Sequence, residues 1–130
     1  MNWNYISGFF DADGSIQLNR IHKNQLPSPV ITFHNNEKVI LELIKEFIYN
    51  QLNVNGTIVT KKKKGYANQF ELRYSYFSKF TVIVDKMTIY HPHKLKRIEF
   101  IKRYQNLSKR NGKYSDHELD TIATLLKQWE

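Results

Sequence analysis

Tyr5, Ile6, Phe9 and Phe10 fall at helical spacing, which predicts an amphipathic helix near the start of the chain. After Gly14 the period changes. Ile16 and Leu18 are apolar while Ser15, Gln17 and Asn19 are polar, the alternation of a strand with one buried face. Gln25-Leu26-Pro27-Ser28-Pro29 breaks it. A second strand over 30–34 resumes with Ile31 and Phe33 on one side, so the two strands form a hairpin. Asn35 or Asn36 is placed to cap a helix whose apolar positions are Val39, Ile40, Leu43, Ile44, Phe47 and Ile48. Asn53, Asn55 and Gly56 mark a turn, and a second hairpin over 57–63 and 68–76 closes around Lys64-Gly65-Tyr66. In its return strand Phe70, Leu72 and Tyr74 alternate with Gln69, Glu71 and Arg73. Ser78 is expected to cap a helix carrying Phe80, Ile83, Val84 and Met87. Tyr90-His91-Pro92-His93 then interrupts before a basic helix over about 95–107. Ser115 and Glu118 have the spacing of a capping box, and the last helix carries Leu119, Ile122, Leu126 and Trp129 as its apolar stripe.

Helix, two strands, helix, two strands, then helices: this order predicts an α+β fold with one four-stranded antiparallel sheet. The 130 residues fit a single domain over 1–130. Twenty Lys and Arg against twelve Asp and Glu give a net charge of +8, which favours polyanions over a membrane surface as partner. No apolar run reaches the ~18 residues of a membrane span, and the N-terminus lacks the pattern of a signal peptide. The chain contains no cysteine. Disulfides, thiolate zinc sites and a cysteine nucleophile are therefore excluded, and any metal must be held by oxygen or imidazole.

Asp11 and Asp13 sit where the first helix ends, with Gly14 expected to close it in the left-handed conformation. Acids at a helix C-terminus are disfavoured by about 0.3 to 1 kcal/mol each, so a positive partner is expected, and a divalent metal suits paired carboxylates. An EF-hand loop counted from Asp11 needs a glycine at its sixth place and an acid at its twelfth. Those places hold Ile16 and His22. His91 and His93 flank Pro92 with no carboxylate nearby and lack the helical spacing of a metal-binding pair.

Ile6-Ser7-Gly8-Phe9-Phe10-Asp11-Ala12-Asp13-Gly14 resembles the nine-residue motif of the LAGLIDADG homing endonucleases, with Gly8, Asp11, Ala12, Asp13 and Gly14 identical to it. The resemblance implies an αββαββα domain with a saddle-like sheet, helices on one face and DNA on the other, and covers all but the last helix. It implies a Mg2+-dependent nuclease, with Mn2+ as substitute and Ca2+ supporting binding without cleavage. The family assigns the metal to the second acid, Asp13, with the carbonyl of Ala12 assisting, and gives Asp11 a structural role. Single-motif members work as homodimers, which places Ser7, Gly8, Asp11 and Ala12 at the pairing face of two such helices. The expected product is a double-strand break with four-nucleotide 3′ overhangs in a long pseudo-palindromic target, initiating intron homing. The family also places a polar residue after the second strand near the attacking water, where Glu37 fits first and Asn36 second. A lysine in a Leu-x-Lys-like context follows, for which Lys96 fits best, with Lys94 and Arg97 as alternatives.

If one sheet face packs on helices, the other is legible from the alternation. It carries Gln17 and Asn19, then Thr32 and His34, then Thr57, Val59, Lys61 and Lys63, then Gln69, Glu71 and Arg73. Arg73 could fork onto guanine, Gln69 or Gln17 pair with adenine, and Glu71 accept from cytosine. The run Lys61-Lys62-Lys63-Lys64, and the eight cations from Lys94 to Lys113 opposed only by Glu99, suit a phosphate backbone. The rival readings keep the fold and change its use: an intron RNA maturase, or a DNA-binding protein without catalysis. A half of a longer two-motif protein is disfavoured, since Met1 lies close to the motif and the chain ends in a completed helix. Ile, Asn, Lys, Tyr and Phe make up 56 of 130 residues; these use A- and T-rich codons, which points to an organelle genome and an organelle location.

Overall fold

The computed structural model describes residues 1–20, 25–62, 64–108 and 113–129. Its elements run α1 (Trp3–Asp13), β1 (Gly14–Asn19), β2 (Ser28–Asn35), α2 (Lys38–Leu52), β3 (Thr57–Lys61), β4 (Gln69–Ser75), α3 (Phe77–Val84), α4 (Pro92–Leu107) and α5 (Asp116–Leu126). The α+β architecture expected from the sequence is present. The strands form one antiparallel sheet in the order β1-β2-β4-β3. The two hairpins thus meet along β2 and β4, with α2 crossing between them.

The register sorts the side chains as the alternation predicts. Ile16, Ile31 and Tyr74 lie opposite one another across the sheet, as do Phe33, Leu72 and Ile58. These pack with Ile6 and Phe10 of α1, Leu41, Ile44 and Ile48 of α2, Phe80 and Ile83 of α3, and Ile98 and Ile101 of α4. Tyr104, Ile122 and Leu125 make a smaller cluster between α4 and α5.

Several local expectations are corrected. Gly14 is extended, at φ −89° and ψ 167°, and begins β1. Its requirement for glycine is spatial, because a Cβ there would lie 2.5 Å from Phe10 Cδ2 and 2.7 Å from the Phe10 carbonyl oxygen. Glu37 is the N-cap of α2; Asn35 Oδ1 accepts from the Glu37 N–H at 2.8 Å instead of capping the helix. The buried stripe of α2 is Leu41, Ile44 and Ile48, leaving Val39 and Leu43 exposed on its flank. Ser78 lies inside α3, whose N-cap is Tyr76, and Met87 is buried beyond the helix end. Pro92 opens α4 rather than interrupting it, since an N1 proline sacrifices no helical hydrogen bond. The capping box of α5 forms as expected. Its buried pair is Ile122 and Leu125, while Leu119 is exposed and Trp129, past the helix, packs edge-on against Phe100 at 5.2 Å.

Candidate functional site

The site grows from the last turn of α1. Asn2 caps the helix by accepting from the Tyr5 N–H at 2.8 Å, and Ile6 and Phe10 anchor one face in the core. The opposite face presents Tyr5, Gly8, Ala12 and Asp13 to solvent, and a Cβ added at Gly8 would touch nothing within 4 Å. Ser7 belongs to the buried side. Its hydroxyl donates to the Trp3 carbonyl at 2.7 Å and accepts from the Thr88 N–H at 3.0 Å, so it leaves the exposed strip on which the sequence placed it.

The two acids separate sharply. Asp11 turns toward α4, where its carboxylate accepts from the Tyr90 N–H at 3.1 Å and the His91 N–H at 3.0 Å. These donors stand at the start of α4, whose N-cap is His91, so an anion disfavoured by its own helix end is favoured by another. The His91 N–H, chiefly, holds the Asp11 carboxyl below the usual carboxylate range. Lys94 closes the same joint: its Nζ donates to the Asp11 carbonyl at 2.6 Å and lies 5.9 Å from the centre of the Phe10 ring. The positive compensation expected for Asp11 therefore comes from within the chain, its carboxylate being held at the start of α4.

Asp13 is left outward. It borders a small cleft of about 290 Å³ together with His34, Asn35, Asn36 and Gln69. Of the two candidates after the second strand, Asn36 lines this cleft, whereas Glu37 stands at the start of α2 and is absent from the lining. Of the three candidate cations, Lys94 reaches the acidic end of α1. Lys96 is exposed on α4. Arg97 donates to the Ile16 carbonyl at 2.5 Å and stacks on Trp129 at 4.7 Å. His34, read from the sequence only as a base-contacting residue, is thus a neighbour of the Asp13 cleft as well; its position at the end of a strand that returns toward the motif was the available signal.

The sheet face away from the core carries the expected residues, joined by the register into rows. Ser15, Thr32, Arg73 and Thr57 lie side by side, then His34, Glu71 and Val59, then Lys61 beside Gln69. Gln17 and Asn19 continue along β1, the Asn19 amide donating to Gln17 Oε1 at 3.3 Å. Two of these residues are not open to a partner. Thr32 is 1% exposed and is hydrogen-bonded to Ser15 Oγ and, at 2.8 Å, to His34 Nε2. Glu71 is 2% exposed, ion-paired to Arg73 and, at 3.4 Å, to Lys61, with His34 Nδ1 3.5 Å from its Oε1. Burial lowers the His34 pKa, with Glu71 acting in the opposite sense. Lys61, Lys62 and Lys64 are exposed; Lys63 lies outside the described residues.

Among the described residues no group of three or more His, Cys, Asp or Glu side chains is close enough to share a cation. At the end of α1, then, one chain offers a hard cation a single outward carboxylate, Asp13. That oxygen donor suits Mg2+ or Ca2+, but the remaining ligands must come from elsewhere.

The sequence pattern of the LAGLIDADG endonuclease family matches residues 6–107. The chain belongs to that family. The match runs from the motif to the end of α4 and stops before α5. No curated protein shows a significant match. Among solved structures, the LAGLIDADG meganuclease I-AabMI bound to uncleaved DNA superposes with a TM-score of 0.63 at 17% identity, over 100% of this chain and 45% of that one. The homing endonuclease I-CvuI in complex with its target in the presence of calcium gives 0.66 at 16% identity, over 95% and 76%. I-GzeII in complex with its DNA target gives 0.62 at 20% identity, over 97% and 44%. The LAGLIDADG fold is shared with all three, and this chain spans less than half the length of two of them.

Proposed function

We propose that two copies of this LAGLIDADG chain bind one long double-stranded DNA site and cut both strands. The observation that carries the reading is the division between the acids: Asp11 is consumed by α4, while Asp13 stands exposed beside a polar sheet face and an open Gly8 and Ala12 strip. Side-by-side contact through that strip, with both helices running the same way, sets two Asp13 carboxylates near the shared axis, completing what one chain lacks. Asp13, with the Ala12 carbonyl, would hold the divalent cation in company with phosphate oxygens and the second copy. The cation, when bound, supplies charge stabilisation for the phosphoryl oxygens and an acidified water.

The chain's own residues have separate tasks. Gln17, Asn19, Thr57, Gln69 and Arg73 face the base edges, whose donor and acceptor pattern they can match in the major groove. Lys61, Lys62 and Lys64 meet phosphates. Asn36, bordering the Asp13 cleft, can hold a water by hydrogen bonds near the scissile phosphate, and Lys94 keeps the α1 end in place. The finer reading is a magnesium-dependent break with four-nucleotide 3′ overhangs in a pseudo-palindrome, serving the homing of an organelle intron. The neighbouring structures in complex with DNA support a DNA target over intron RNA.

The test is incubation with magnesium and a library of long duplexes. Asp13→Asn should lower the cleavage rate by about a thousandfold or more while DNA binding persists. A mutant that cuts as the parent does would refute the role of Asp13. Selective binding without cutting under any divalent metal would leave a DNA-binding protein in place of a nuclease.

A further inference from the structure

Glu71 is the anomaly of the polar sheet face. It points to the same side as Arg73 and His34, yet it is 2% exposed, while the side chains around it are 39% exposed for His34, 42% for Arg73 and 52% for Lys61. Its three partners come from three strands, β2, β3 and β4. Arg73 Nε donates to Oε2, and Lys61 Nζ and His34 Nδ1 approach Oε1 at 3.4 and 3.5 Å. A carboxylate is an acceptor only, and a buried one needs paired charge. Glu71 has both, and at 2% exposed its oxygens lie out of reach of a cytosine amine.

Arg73 is in the complementary state. Guanidinium carries five N–H donors in a rigid fork; Nε is spent on Glu71, and among the described residues no other hydrogen bond holds Arg73. Fixing the plane through Nε leaves the two terminal nitrogens as a pair of donors on a side chain still well exposed. That pair matches the two acceptors of guanine, O6 and N7.

We propose that Glu71 is a positioning residue for base readout, holding the Arg73 fork in the orientation that reads one guanine. The inference rests on the DNA reading above. It also yields an opposed pair of effects. Removing the Glu71 charge frees Arg73 to wander and adds one net positive charge to the face, so discrimination falls while general attraction to phosphate holds or rises.

The experiment measures competition between a selected duplex, its single-base variants and a scrambled duplex, for the parent, Glu71→Gln, Arg73→Ala and the double variant. Glu71→Gln should lower discrimination by about tenfold at one base pair per half-site, with affinity for the scrambled duplex unchanged or tighter. Arg73→Ala should lose discrimination at that same position, and the double variant should lose no more than either alone. Glu71→Leu, which replaces the buried charge by an apolar group, should disperse the same preference and serves if the amide variant fails to fold. Discrimination by both Glu71 variants equal to the parent's overturns the proposal. So does a loss at a position that Arg73→Ala leaves intact, since Glu71 would then act on a base by itself. A parent chain that prefers no duplex overturns the DNA reading and this inference with it, and is told apart by the parent alone.

Discussion

At the scale of single residues, two acids of one motif have unlike surroundings: the Asp11 carboxylate meets the backbone N–H groups of Tyr90 and His91, while Asp13 is exposed. Asp13 was legible from the motif and remains outward. The partners of Asp11 were not legible, since Tyr90 and His91 lie 79 and 80 positions away and no local pattern encodes such a meeting. The placement of Glu37 and Asn36 follows from the helix start: α2 begins at Lys38, which makes Glu37 its N-cap and leaves Asn36 bordering the cleft. Gly14 shows steric demand in place of a torsional one. Gly14→Ala should destabilise the chain by about 1 to 3 kcal/mol through collision with Phe10. Urea unfolding measures this, and a loss below about 0.5 kcal/mol would show that the α1 to β1 junction can yield.

At the scale of elements, periodicity placed every helix and strand, because each buries one face and repeats at its own period. It misjudged helix faces where apolar residues are abundant, as with Val39 and Leu43 on the flank of α2, and it read Pro92 as a break because the cap before it was hidden. The joint between α4 and the first hairpin was also invisible. Tyr104 of α4 donates to the Pro27 carbonyl at 2.6 Å, and burial pushes its phenol up to about 12, against an ordinary value near 10. The folded pKa is the higher, so the contribution of this group is present below pH ~10 and is lost as pH rises from there toward ~12, the unfolded phenol ionising first. Tyr104→Phe should cost about 1 kcal/mol at neutral pH and reduce the alkaline loss. Urea midpoints followed across pH 8 to about 12 read both effects; an unchanged pH profile would exclude Tyr104 from the transition.

At the scale of the whole molecule, the proposed pairing rests on the outward strip of α1, which ends in the outward Asp13. Gly8 offers a clean test, because a side chain there meets nothing within its own chain. Gly8→Leu should leave the melting temperature of the isolated chain unchanged or slightly higher, since glycine within a helix is unfavourable by about 1 kcal/mol. In sedimentation the same variant should remain single at concentrations where the parent pairs; pairing by both would move the contact away from this strip. A net charge of +8 per chain, doubled in the pair, makes any duplex binding fall steeply with salt. The tie between Asp11 and α4 bears finally on the order in which the molecule assembles. The helix carrying Asp13 is local and forms fast, whereas the bonds that aim its end close a loop of about 80 residues, the kind of contact a folding chain makes late. The end of α1 that carries Asp13 is therefore fixed in place near the end of folding, after the helix itself has long been made.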